Sequence, residues 1–208
     1  MYLALIHLGF AARNDKESGL RIAHFAPELA LFLKLSAQGS NKNYQSFDIS
    51  PDRYKFAKGW ISFCDLCNVD RYLEDDSYDI ILHNHILEHL PCKIGDVVKR
   101  LNKKLRKGGI HLFTVPVRSG IFQEDLSSSL SSAERKRRFA QEDHMRIFGS
   151  EDTENIFQEL FARDQVVFQL SSFLTLELAE LYGVTRVYKN ELSGRIDGQT
   201  VFFYQDIS

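Results

Sequence analysis

A doubly wound α/β domain with a mostly parallel sheet is the fold class that this sequence predicts, on three observations. Short apolar runs of strand-forming residues alternate with segments of helical periodicity. The run Tyr78-Asp-Ile-Ile-Leu82 is too short for a helix and apolar enough to be buried on both faces, as parallel strands are. Directly after it the chain turns polar, with His83, Asn84, His85, Glu88 and His89. Ligands of open α/β sheets bind just past the carboxyl ends of the strands, so this polar end is the expected floor of a site.

Each element follows in order. Leu20 to Phe25 reads as a first strand and Pro27 to Ser36 as the helix after it. Tyr44 to Ile49 reads as a second strand, Ile61 to Cys64 as a short third, and Tyr78 to His83 as a fourth. From Lys93 to Leu105, Ile94, Val97, Val98, Leu101 and Leu105 recur at spacings of three and four, which makes an amphipathic helix. Its basic last turn suits a helix C-terminus, Gly108-Gly109 is expected to stop it, and Ile110 to Val117 forms a fifth strand. Residues 119–146 are polar and serine-rich, a length better suited to an excursion over a site, a lid or substrate-side insertion, than to a linker. Asp152 to Phe161 reads as a helix with Ser150 as N-cap and with Ile156, Phe157, Leu160 and Phe161 on its buried face. Gln165 to Phe173 and Thr200 to Tyr204 read as two final strands.

Length and composition bound the function. The 208 residues suit a single domain over 1–208. A formal net charge of -2 argues against a dedicated nucleic-acid binder, and no apolar run reaches the roughly 18 residues of a membrane span. The apolar start, Met1 to Phe10, lacks a basic flank and a cleavage site, so it is expected to pack onto the domain as a helix or strand. Three cysteines suggest a reducing, cytoplasmic setting rather than a disulfide framework, and Cys64-x-x-Cys67 alone is a weak redox or metal signal.

The strand ends carry the chemistry. Asp48 lies 22 residues beyond Ala26, about the spacing at which an acid accepts hydrogen bonds from both ribose hydroxyls of a nucleoside ligand. Asp65, one strand over, can bind the exocyclic amine of an adenine, with Ile49 and Leu66 as apolar neighbours of the base. A lone strand-end acid is more often a helix cap; two on successive strands beside a polar fourth strand end favour an adenosine site.

The stretch from Leu20 to Val117 resembles class I S-adenosylmethionine-dependent methyltransferases, and within them the branch whose first motif reads HFAPE in place of a glycine-rich loop. The matching residues are Ile22-Ala-His-Phe-Ala-Pro-Glu28, Phe47-Asp-Ile49, Phe63-Cys-Asp65, Tyr78 to His89, and Leu105-Arg-Lys-Gly-Gly109; Asp143-His-Met-Arg146 and Phe148-Gly149 resemble a further motif near the substrate. The resemblance covers about residues 20 to 162. It implies a Rossmann-like, mostly parallel seven-stranded sheet with an antiparallel terminal strand, and S-adenosylmethionine as cofactor. It places His24, Phe25, Ala26, Glu28, Asp48, Ile49, Asp65, Leu66 and Asn84 around that cofactor. Glu28 would bind the methionine ammonium or favour the following helix N-terminus. His24, Ala26 and Pro27 stand where most such enzymes carry glycines.

Methyl transfer from a sulfonium needs positioning, desolvation and, for a hydroxyl acceptor, a general base. His85 and His144 are the expected bases. The spacing His85-x-x-x-His89 matches zinc hydrolases, but the Glu beside the first His of HExxH is missing, so no metal is expected. Arg135 to Arg138 reads as a solvated helix face, with an anion clamp as the sharper alternative. The expected function is therefore methyl transfer to a small polar molecule such as a sugar hydroxyl, with no nucleic-acid or membrane partner. The missing glycines motivate the alternative of a catalytically degenerate methyltransferase fold kept for binding or scaffolding. A nicotinamide oxidoreductase is disfavoured because no G-x-G-x-x-G follows the first strand.

Overall fold

Nine strands and seven α-helices are defined among residues 1–8, 20–38 and 43–206, which are those that a computed structural model of the chain describes. In chain order they are α1 (Tyr2–His7), β1 (Ile22–Phe25), α2 (Leu29–Gln38), β2 (Tyr44–Asp48), β3 (Ile61–Phe63), β4 (Tyr78–Asn84), α3 (Ile94–Lys103) and β5 (Leu105–Thr114). There follow β6 (Val117–Arg118), β7 (Gln123–Glu124), α4 (Ser132–Phe139), β8 (Arg146–Gly149), α5 (Thr153–Phe161), α6 (Leu176–Leu181), α7 (Thr185–Leu192) and β9 (Phe202–Gln205). The apolar start is helical as α1, and Gly9 and Phe10 lie outside the described residues. The chain divides into two compact units: Met1–Asn84 with Lys93–Phe113 and Phe203–Ser208, and His85–Cys92 with Thr114–Phe202.

The first unit is built on a sheet of order β3-β2-β1-β4-β5-β9. β1 is parallel to both β2 and β4, and β2 is parallel to β3, while one strand of the sheet is antiparallel. This is the doubly wound architecture with six strands among the described residues, not seven. The expected strand over Gln165 to Phe173 makes only an isolated antiparallel bridge between Val167 and Phe202. After Phe168 the chain turns into a 3-10 turn at Leu170–Ser172, which ends the ladder.

α3 buries Ile94, Val97, Val98 and Leu101, the face that its periodicity predicts. It ends at Lys103 rather than at the glycines. The carbonyls of Lys103 and Lys104 accept from the amides of Asp76, Ser77 and Tyr78, so they need no glycine cap. Gly108 and Gly109 instead lie within β5, where a Cβ on Gly109 would sit 2.8 Å from the Arg106 carbonyl oxygen and 3.0 Å from that of Tyr78. The buried core of this unit includes two facing histidines. His111 Nδ1 is 2.9 Å from Asn102 Oδ1, which accepts from it, leaving His111 Nε2 as the acceptor at 2.9 Å for the Nε2–H of His83. Burial holds His111 at about 3 and, with the neighbouring histidines, holds His83 well below its usual value, so both are neutral.

The second unit carries a small sheet of order β6-β8-β7, in which β8 is parallel to β6 and antiparallel to β7. All four residues of β8 are buried, Arg146 included. Residues 119–146 thus hold regular structure: β7, α4 and the start of β8. The α4 N-cap is Ser131, whose hydroxyl accepts from the Glu134 amide at 3.2 Å. The cap of α5 is Asp152 rather than Ser150, and the Asp152 carboxylate accepts the Phe122 amide at 2.9 Å instead of capping its own helix. On α5, Phe157 and Phe161 are buried, while Ile156 and Leu160 are half-buried. The mixed stretch before β9 forms α6 and α7.

Candidate functional site

The carboxyl ends of β1, β2, β3 and β4 share one edge of the first unit's sheet. The register aligns Phe25 with both Phe47 and His83, and Asp48 with Phe63, so the residues just beyond these pairs are neighbours in space. Past β1 the backbone turns at Ala26 with φ 44, a left-handed value that usually asks for glycine. The Ala26 amide bonds the Phe47 carbonyl at 2.8 Å, which fixes this turn to β2. The backbone conformation supplied by glycine elsewhere is therefore present here despite the side chain.

Glu28, just ahead of α2, receives Asn84 Nδ2 on Oε1 at 2.6 Å, and its Oε2 lies 3.5 Å from His24 Nε2. Burial pushes the Glu28 carboxyl up, but the bonds from His24, its own backbone and Asn84 outweigh that and hold it below the usual range. His24 is fully buried, with Nδ1 hydrogen-bonded to the Tyr44 hydroxyl at 2.8 Å. It positions Glu28 from beneath. Phe25 is also buried, stacked on Phe47 at 5.3 Å between ring centroids, so its side chain belongs to the core.

Asp48 ends β2 with both oxygens engaged: Oδ1 accepts the Ser50 amide and Oδ2 the Tyr54 hydroxyl, each at 2.6 Å. Each oxygen keeps a further lone pair. Ile49 beside it is 59% exposed. Asp65 caps the turn after β3, accepting from the Cys67 amide at 2.9 Å and from Asn68 Nδ2 at 2.7 Å. Leu66 is buried. Tyr54 and Asn68 escaped sequence reading because a tyrosine six residues on and an asparagine three residues on from an acid form no recognisable pattern.

Cys64 is a buried free thiol pushed up to about 12 by burial and then by Asp65, so Cys64 and Cys67 form no redox couple. Cys67 and Cys92 are each disulfide-bonded, which goes against the expectation of a reducing setting rather than a disulfide framework.

The second unit gathers the other polar residues of the motif region. His85, the first expected base, has φ 50 and an amide bonded to the Thr114 carbonyl at 3.0 Å. Its Nδ1 is 3.6 Å from Glu88 Oε1, and its side chain is 49% exposed. Glu88 and His89 lie in a 3-10 turn, Leu87–His89. His144, the second expected base, is 2% exposed, and its Nδ1 is bonded to the Phe139 carbonyl at 3.0 Å. Burial, with His89, holds it below its usual value despite Glu88.

Behind this group stands Arg146, fully buried, with Nε bonded to Glu124 Oε1 at 2.7 Å, Nη2 to the Cys92 carbonyl at 2.8 Å, and Nη1 to the Leu87 carbonyl. It fixes the turn that carries Glu88 and His89. The basic run of α4 is not a uniformly solvated face. Arg135 points inward to the carbonyls of Ser127, Asp125 and His144, Arg138 pairs with Asp125 at 2.6 Å, and Arg137 pairs with Glu134. Those pairings leave the anion-clamp alternative without support.

Comparison with known proteins rests on structure alone, because no protein-family model and no curated protein matches the sequence. An S-adenosylmethionine-dependent methyltransferase from Mesorhizobium loti superposes with a TM-score of 0.55 at 15% identity, over 97% of each chain. A SAM-dependent methyltransferase from Archaeoglobus fulgidus superposes with a TM-score of 0.51 at 15% identity, over 98% of this chain and 93% of the other. The fold of this chain is that of the S-adenosylmethionine-dependent methyltransferases.

Proposed function

We propose that this protein is an S-adenosylmethionine-dependent methyltransferase acting on a small polar molecule such as a sugar hydroxyl. The observation that carries the reading is the row of polar groups at one sheet edge: Glu28, Asp48, Asp65 and Asn84 at or just beyond four successive strand ends. Asp48, with a lone pair free on each oxygen, would take the ribose hydroxyls, and Tyr54 and Ser50 hold that carboxylate in place. Asp65 would take the adenine amine, and the exposed Ile49 would cover a face of the ring. Glu28, ionised and oriented by His24 and Asn84, suits the ammonium of the methionine portion. The cofactor's sulfonium supplies an activated methyl group with a good leaving group, so what the protein adds is alignment and exclusion of water. His85, exposed and beside Glu88, and His144 would be the candidate bases for a hydroxyl proton.

Isothermal calorimetry with S-adenosylhomocysteine tests this directly. The wild-type chain binds the demethylated product, and Asp48→Ala loses detectable binding. Equal affinity in the two proteins would rule out the ribose assignment. The second reading, a degenerate fold retained for binding or scaffolding, is favoured by the side chains at His24, Ala26 and Pro27 in the first loop; it predicts that the wild-type chain itself shows no heat of binding.

A further inference from the structure

Glu88, His89 and His144 present one ligand atom each within 4.8 Å of one another, the one such group among the described residues. Three features set it apart from an ordinary surface cluster. First, each histidine has its far ring nitrogen against an oxygen acceptor, as a metal-bound imidazole does. His144 donates Nδ1–H to the Phe139 carbonyl at 3.0 Å, which turns the lone pair of Nε2 inward. His89 directs Nδ1 to Asp143 Oδ2 at 3.2 Å, which leaves Nε2 facing Glu88 Oε1 at 3.9 Å. An imidazole fixed by a carboxylate or carbonyl on its far nitrogen is the usual second layer of a histidine–metal site.

Second, two buried polar atoms of these residues have no hydrogen-bond partner. Glu88 Oε2 and His144 Nε2 are buried, with residue exposures of 1% and 2%, and neither makes a hydrogen bond. Buried polar atoms are nearly always satisfied, so two orphans in one cluster point to a ligand. Third, His89 is only partly covered, with 36% of its side chain exposed, which gives an ion a way in. Arg146 does not fill the place, since its bonds run to Glu124 and to the carbonyls of Leu87 and Cys92.

We propose that Glu88, His89 and His144 form a binding site for a borderline divalent first-row metal ion of the Zn²⁺, Co²⁺ or Fe²⁺ kind. Two imidazoles and one carboxylate select such ions over Ca²⁺ and Mg²⁺, which want oxygen alone. Bonds of about 2.0–2.1 Å in a tetrahedral site put donors about 3.4 Å apart, so the side chains close by about 1 Å or somewhat more on binding. Three protein ligands leave a position open for water or an acceptor oxygen, as in catalytic rather than structural sites. The spacing of Glu88 and His89 lacks the HExxH order, and the third ligand comes from His144, far away in the chain. The site stands independently of the proposed methyl transfer.

The test uses the full chain, free of any histidine tag and stripped with a chelator, titrated with Co²⁺ alone and followed by visible absorption and calorimetry. One equivalent binds, with ligand-field bands of an N/O site and no thiolate charge-transfer band. His89→Ala, at a partly exposed position, keeps the circular dichroism of the wild type and weakens Co²⁺ by at least about a hundredfold, while Asp143→Asn weakens it by about 10–100-fold. A wild-type chain that binds no Co²⁺, or a folded His89→Ala that binds it with unchanged affinity, overturns the proposal.

Discussion

At the scale of single residues, Arg146 shows how a charge can be the most structural group in a unit. It is fully buried, yet its three bonds go to a carboxylate and two main-chain carbonyls of a turn. Removing the guanidinium would leave the Glu124 carboxylate and two carbonyl oxygens without their donor, and breaking a buried pair this way costs about 3–5 kcal/mol. Arg146→Met should therefore lower the unfolding free energy by that amount in urea denaturation. Arg146→Lys should recover little of it, because one ammonium cannot reach three acceptors set for a planar fork. A loss below about 1 kcal/mol in either variant would mean that the turn at Leu87–His89 holds without it. The sequence offered Arg146 only as part of a motif; its burial could not be read, since an arginine in a short apolar strand gives no sign of which way it points.

Elements divided by how local their causes are. β1 to β4 and α3 were legible because periodicity and apolar runs are short-range signals, and they carry the whole row from Glu28 to Asn84. Gly108-Gly109 does not stop α3, which ends on bonds from Asp76, Ser77 and Tyr78 that no local pattern announces. The sheet β6-β8-β7 was missed because its flanking strands are two residues long and exist only by pairing with β8. Gly149 shows what β8 demands: a Cβ there would lie 2.1 Å from the Gly120 carbonyl oxygen and 2.4 Å from Ile121 main-chain atoms. Those are backbone atoms that cannot swing aside. Gly149→Ala should destabilise by about 1–3 kcal/mol, the usual cost of overpacking. Denaturation of that variant checks it, and wild-type stability would show that the chain at Gly120 and Ile121 yields freely.

At the scale of the whole molecule, buried histidines tie stability to pH. His83, His111 and His144 are all held below their usual value of about 6.5, His111 to about 3, first of all by burial. Above 6.5 each is neutral whether the chain is folded or not, so their contribution is complete there. As pH falls below 6.5 the unfolded chain takes up protons that the native chain refuses. Stability then falls with pH, and the loss continues toward the folded values. Each such histidine contributes a slope of up to about 1.4 kcal/mol per pH unit. Carboxylates with lowered values, Glu28 among them, add to the loss only below about pH 4.5, so the window from about pH 6.5 to 5 reports the histidines. Urea denaturation across that window should show stability declining as pH drops. His111→Gln removes one titrating group, and its curve should be flatter by up to about 1.4 kcal/mol per unit, whatever its absolute stability. Parallel curves for the two proteins would mean that His111 takes up its proton in the native state, and that the His83–His111 contact is not the neutral pair that their bonding to Asn102 implies.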